Sequence, residues 1–147
     1  YGEAEQLMMK VERQDDNNNQ FVINRSYFRL YITQKKYDKA IIPLREIVLK
    51  EPVYNRFLAY CYAKVGDTIR TLETIQKIRN FDEPDERNYM LAMSYAGLQR
   101  SDSSLYYLKT ISTKDVINTF ARERQDFFEY LREDSEFINI EKQLGLD

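Results

Sequence analysis

Three stretches of this chain repeat a single helical pattern, and that repetition narrows the possible folds more than any other feature. The stretches run from Asn24 to Tyr31, from Asn55 to Tyr62 and from Asn88 to Tyr95. Each opens on Asn, places an apolar pair three and four residues later, and ends on Tyr after three more. Positions i, i+3, i+4 and i+7 share one face of an α-helix. The three starts lie 31 and 33 residues apart. A unit this short cannot bury its apolar face alone, so neighbouring units must stack to make a continuous core.

Each of these helices is followed by a break and a second amphipathic run. The second runs carry Ala40, Ile41, Leu44, Ile47 and Val48, then Leu72, Ile75 and Ile78, then Leu105, Leu108 and Ile111 as their apolar faces. Gly66 can take the left-handed conformation that ends a helix, and Asp67 or Thr68 can cap the next one. Pro52 and Pro84 fall just after second helices, where they cannot continue them. With only 4 Gly and 3 Pro, few residues disfavour helix interiors. The unit is therefore helix, short turn, helix, turn.

These units resemble tetratricopeptide (TPR) repeats. The apolar pairs and following Tyr match at Tyr27, Phe28 and Tyr31, at Leu58, Ala59 and Tyr62, and at Leu91, Ala92 and Tyr95. The small residue expected early in the second helix matches at Ala40, Thr71 and Ser104, and Lys36 to Ala40 is especially typical. Two departures stand out: Asn24, Asn55 and Asn88 replace a usual aromatic, and bulky Phe28 stands where a small residue is usual. The resemblance implies an all-α fold, a right-handed superhelical stack of antiparallel helix hairpins (a TPR-like α-solenoid). It divides one domain, 1–147, into five parts. Residues 1–14 would be the second helix of a preceding partial repeat, with 15–20 as a polar turn. Repeats would span 21–51, 52–84 and 85–112, and 113–147 would hold a partial repeat and a capping helix. Within that last part, Val116–Arg124 reads as a fourth first-helix. The run from Asp126 to Phe137 resembles a terminal segment common in bacterial TPR proteins, and Gly145 would end the last helix.

The search for chemistry excludes more than it finds. The chain has no His, which removes the commonest general base and the commonest neutral metal ligand. Glycines at 2, 66, 97 and 145 make no phosphate-cradling loop. The single cysteine, Cys61, excludes an internal disulfide and reads as a small buried apolar residue. No cofactor or metal is expected, and the chain reads as a non-enzyme. The net charge is −2, distributed as −3 over residues 1–20, +5 over 21–110 and −4 over 111–147. That balance argues against nucleic acid as a partner. No apolar run reaches membrane-spanning length, and no stretch reads as a signal peptide. The chain begins at Tyr1 rather than Met, which leaves room for a signal, an anchor or a further domain upstream. Bacterial cytoplasm and periplasm both fit.

The resemblance also implies where a partner would sit, since first helices line a concave groove in such stacks. Its partner-binding positions are Arg25, Arg29, Arg56, Tyr60, Lys64, Tyr89 and Met93. Arg25 and Arg29 lie one helical turn apart. Arginine offers a planar fork to carboxylates, and Tyr, Met and Arg are enriched at interfaces. The expected ligand is therefore a peptide or protein segment carrying acidic and apolar side chains. The set that grips chaperone tails is not present: Phe57, Glu86 and Met90 occupy three of its positions. The competing expectation is a structural or self-assembling scaffold within a larger, cell-envelope protein, associating through exposed repeat ends.

Overall fold

A computed structural model describes residues 2–6 and 19–146. Residues 2–6 are helical and are labelled α1. The rest of the expected helix over 1–14, and nearly all of the polar turn over 15–20, lie outside the described residues. Helices then follow at α2 (Gln20–Thr33), α3 (Tyr37–Lys50), α4 (Asn55–Lys64), α5 (Thr68–Ile78), α6 (Pro84–Gly97), α7 (Ser101–Leu108), α8 (Lys114–Phe127) and α9 (Ser135–Gln143). Short 3-10 turns at Pro52–Tyr54 and Glu129–Leu131 precede α4 and follow α8. The described chain is all-α, with no strand. None of its helices is long and apolar enough to cross a membrane.

The pairs α2/α3, α4/α5 and α6/α7 form three hairpins whose turns are built alike. The second residue after each first helix, Lys35, Gly66 or Gln99, has a positive φ of 58°, 84° or 56°. The backbone N–H of the next residue, Lys36, Asp67 or Arg100, then reaches back to the carbonyl of Tyr31, Tyr62 or Tyr95 at 2.8, 2.9 and 2.9 Å. These are the six-to-one bonds of a Schellman stop, and they satisfy carbonyls that a helix end leaves unpaired. Only the middle turn uses glycine. Lys35 and Gln99 adopt the same conformation against a cost of roughly 1–2 kcal/mol each. Gly145 closes α9 in the same way, with a φ of 78° and the Leu146 N–H on the Glu141 carbonyl at 2.8 Å.

Packing follows the sizes of the repeated residues. Ala40, Thr71 and Ser104 are fully buried where each second helix crosses its neighbour. Ala59 and Ala92 let α4 and α6 lie along one another, and Gly97 brings them closest. A β-carbon on Gly97 would stand 3.0 Å from the Tyr60 α-carbon. Phe28 holds the equivalent place on α2, and there the contact with α4 is made by rings instead. Phe28 packs on Phe57 at 4.9 Å and on Tyr54 at 5.9 Å between centroids.

Two expectations about the core need correction. Leu72 is half exposed, because Thr71, Thr74, Ile75 and Ile78 already make the inward stripe of α5 and Leu72 points off it. Tyr95, like Tyr27 and Tyr31, is only partly buried, and its hydroxyl accepts from Arg79 just past the end of α5. The C-terminal boundary shifts as well: α8 continues through Phe127, so Asp126 and Phe127 belong to α8 and not to the terminal segment.

Candidate binding cleft

The helix α8 lies across the face of α4 and α6 on which the partner-binding residues were expected. Its position is fixed at its start by Asp85, in the first turn of α6. That carboxylate accepts from the backbone N–H groups of Ser112 and Thr113 at 2.8 and 2.9 Å, and from the Thr113 hydroxyl at 2.6 Å. It thereby serves N–H groups just ahead of α8 that have no helical partner.

Further along, α8 turns Phe120, Glu123 and Phe127 toward the repeats, at i, i+3 and i+7 on one helical face. Phe127 sits 4.8 Å from Tyr60 and 5.2 Å from Phe57, measured between ring centroids. Phe120 meets Tyr89 at 6.1 Å, and Phe128 meets it at 6.2 Å. Between these contacts, Arg56 donates from Nε and Nη2 to the two carboxylate oxygens of Glu123, at 3.1 and 2.8 Å. The Tyr89 hydroxyl donates to the same carboxylate at 2.8 Å. The Arg56 and Glu123 side chains are only 12% and 16% exposed. Burial opposes the charge on Arg56, but the hydrogen bond and the charge of Glu123 more than offset it and raise its pKa. The Tyr89 phenol is held well above its ordinary range, first by burial and then by the adjacent carboxylate.

The seven residues expected to line one open groove therefore divide. Tyr89 is buried beneath Phe120 and Phe128 of the C-terminal segment, and Met93 is fully buried in the core. Arg56 is committed to Glu123, and Tyr60 is covered by Phe127 on one side. Arg25 stands over the Phe21 ring at 5.7 Å, away from the cleft. Arg29 and Lys64 remain exposed. The physical reason is that an apolar first-helix face is the surface a following aromatic helix covers most favourably, at about 25 cal/mol per Å² of apolar area removed from water.

A pocket of about 200 Å³ remains between Arg56, Tyr89 and the first turns of α8, and a larger cleft lies between α8 and the first two hairpins, in two lobes lined in common by Phe127. One lobe, of about 380 Å³, is walled by Arg29, Ile32 and Thr33 of α2 and by Arg122, Glu123 and Asp126 of α8. The other, of about 570 Å³, is walled by Lys35, Tyr37, Tyr60 and Lys64 and, opposite, by Asp126, Glu129 and Tyr130. The Lys64 ammonium lies 5.7 Å from both the Tyr37 and the Tyr60 ring centroids, and those two rings meet edge to face at 5.7 Å. Burial raises the pKa of both phenols, so they present neutral hydroxyls. Cations thus line the wall built by the repeats, the opposite wall of α8 and the turn after it carries the carboxylates Glu123, Asp126 and Glu129 together with Arg122, and aromatic rings form the floor.

Arg29, Arg56, Tyr60 and Lys64 are brought together at this cleft. Sequence reasoning missed Lys35, Tyr37, Asp126, Phe127 and Tyr130. The available signal was the i, i+3, i+7 spacing of Phe120, Glu123 and Phe127. Among the described residues, no group of His, Cys, Asp or Glu is arranged to hold a metal ion. No family model, curated protein or solved structure matches the chain.

Proposed function

We propose that this chain is a non-enzymatic, TPR-like protein-interaction module that holds a segment with acidic and apolar side chains in the cleft between α8 and the first two hairpins. The observation that carries this reading is the chain's own use of the same surface. On α4, Arg56 already grips a carboxylate and the Phe57–Tyr60 face already takes a phenyl ring, both supplied by α8. The continuation of that wall, through Arg29, Lys35 and Lys64, offers the same chemistry with no helix of the described residues laid on it. An extended segment alternating acidic and apolar residues would set carboxylates against these cations and side chains against Tyr37 and Tyr60. Arginine forks and lysine donors favour such pairing, and aromatic floors supply the buried contact area.

Photo-crosslinking tests the site. A benzophenone amino acid at Thr33, on the cleft wall, is expected to capture a protein that the same probe at Glu46, on α3 and outside the cleft, does not. Arg29→Glu with Lys64→Glu should abolish that capture while leaving the circular-dichroism melt in place. Capture that survives the double reversal removes the cleft from the function.

A second reading, a self-assembling scaffold within a larger envelope protein, draws on the exposed apolar residues Ile42, Leu49 and Ile69, which are 69%, 76% and 75% exposed. Sedimentation velocity separates the two readings: a monomer throughout the micromolar range leaves the module reading alone.

A further inference from the structure

A second cluster of interface-type residues lies away from the cleft, where α5 and α7 meet the end of α6. Tyr95 of α6 and Tyr107 of α7 stack nearly parallel, 5.9 Å apart with planes 6° from parallel. Arg79, just past the end of α5, donates from Nη2 to the Tyr95 hydroxyl oxygen at 2.7 Å and from Nη1 to the Tyr107 hydroxyl oxygen at 3.3 Å. Two hydroxyls from two other helices thus fix the plane of an exposed guanidinium. Arg100 also stands over the Tyr95 ring, its guanidinium carbon 5.8 Å from the centroid. Tyr106 extends the cluster by packing its edge on Tyr107 at 5.1 Å, and it is 65% exposed.

Two features set this cluster apart from an ordinary solvated surface. Among the described residues, Arg79 and Arg100 share with Arg25, Arg29, Arg45, Arg87 and Arg122 the lack of an ion pair, but of these Arg79 alone is held by two tyrosine hydroxyls. The guanidinium has five N–H donors in a rigid fork, and the two tyrosines use two of them on neutral oxygens, which leaves the positive charge uncompensated. The second feature is Tyr106. Its ring is exposed and packs on Tyr107, whose hydroxyl takes the Arg79 N–H, and Tyr and Arg are the residues that concentrate binding energy at interfaces. The rotamer of Arg79 is already fixed in the free protein, so little side-chain entropy remains to be lost on docking.

We propose that Arg79, Arg100 and Tyr106 form a second interaction surface, which docks a protein segment presenting a carboxylate next to an apolar or aromatic side chain. Charge complementarity selects that partner: two uncompensated guanidiniums call for an anion, and the neighbouring tyrosine ring calls for apolar contact. The carboxylate meets the free edge of the Arg79 fork, and the adjacent side chain packs on Tyr106. This surface is independent of the cleft and stands whether or not the cleft binds.

The test selects 15-residue random peptides on phage against the whole chain and measures the recovered peptides as fluorescein-labelled ligands by anisotropy. Recovered sequences should be enriched in Asp or Glu beside an aromatic or aliphatic residue. Arg79→Glu should weaken their binding at least tenfold. Tyr106→Ala should do the same with an unchanged melting temperature, since an exposed ring contributes little to folding. Arg79→Lys should recover part of the affinity, because charge returns without the fork. Arg29→Glu with Lys64→Glu should leave these peptides bound. The proposal is overturned if no peptide is recovered, if the recovered sequences lack acidic residues, or if Tyr106→Ala and Arg79→Glu leave affinity intact. Peptides that respond only to the cleft double reversal would assign binding to the cleft and likewise overturn it.

Discussion

Replacing Glu123 by alanine leaves the Arg56 guanidinium under α8 with its countercharge gone. Both side chains are largely enclosed, and each oxygen of the carboxylate takes an arginine N–H within 3.1 Å. Removing one partner of such a pair costs about 3–5 kcal/mol, most of it the penalty for an uncompensated buried charge. The residual exposure of 12% and 16% lets some water reach the stranded group, so the lower end, about 3 kcal/mol, is expected. The entropy of unfolding is about 2.1 cal/mol/K per residue, or about 0.3 kcal/mol/K for this chain, so the melting temperature should fall by about 10 °C. Arg56→Leu should cost a similar amount, because it strands the carboxylate with only the Tyr89 hydroxyl. The double replacement Arg56→Leu, Glu123→Leu should cost no more than either single change, since apolar side chains replace a buried pair with little loss. Differential scanning calorimetry on the four proteins closes the cycle. Single changes below about 0.5 kcal/mol, or additive effects, would refute the reasoning, for they are the signature of a solvated surface pair.

Further outcomes follow from other contacts. Gly97→Ala places a methyl group 3.0 Å from the Tyr60 α-carbon and 3.1 Å from the Ala63 β-carbon, so a loss of about 1–3 kcal/mol in urea unfolding is expected despite the better helix propensity of alanine. Asp85→Ala removes three hydrogen bonds ahead of α8, and amide exchange at Ser112 and Thr113 should accelerate at least tenfold; unchanged exchange would mean that Asp85 does not anchor this turn. The Cys61 thiol, pushed up to about 12 by burial, should resist a thiol reagent at pH 8 until the chain unfolds. Folding favours its neutral form, so its contribution is fully present below the ordinary thiol range near 8.5 and is lost as pH climbs toward 12. Tyr60 and Tyr89, raised by burial, shift the balance in the same direction. The urea midpoint should therefore fall between pH 9 and 11, and a flat profile there would contradict the burial of these groups.

The local half of the architecture was legible in the sequence. The spacing of Tyr31, Tyr62 and Tyr95 marks the carbonyls that close the three hairpin turns, and the small residues Ala40, Thr71 and Ser104 mark where helices cross. These are short-range consequences of helical periodicity and size. The repeated asparagines show the limit of such reading. Asn55 is buried and donates to the Pro52 carbonyl at 2.9 Å, Asn88 donates to the Thr110 hydroxyl at 3.0 Å, and Asn24 accepts from Gln20 at 3.5 Å. One letter at one repeat position serves three unrelated contacts.

The candidate site was less legible, because its closure is non-local. Arg56 and Glu123 are 67 residues apart, and periodicity reveals which face of a helix is apolar without saying what covers it. Arg56 was read from its chemistry as a ligand for a partner's carboxylate, and the carboxylate beside it comes from the same chain. Tyr89 and Met93 were placed on a binding face because a first-helix face is open in a regular stack, whereas here Phe120, Phe127 and Phe128 fill it.

The central claim is that α8 covers the part of the α4 and α6 face that holds Tyr60 and Tyr89. Hydroxyl-radical footprinting with mass-spectrometric readout tests it most directly, because methionine and tyrosine are intrinsically reactive and only burial protects them. In the native chain, Met93 and Tyr89 should show little oxidation, while Tyr106 and Tyr130, 65% and 42% exposed, react readily. Oxidation of Met93 and Tyr89 at rates matching Tyr106 would mean that the groove is open and that α8 does not occupy it.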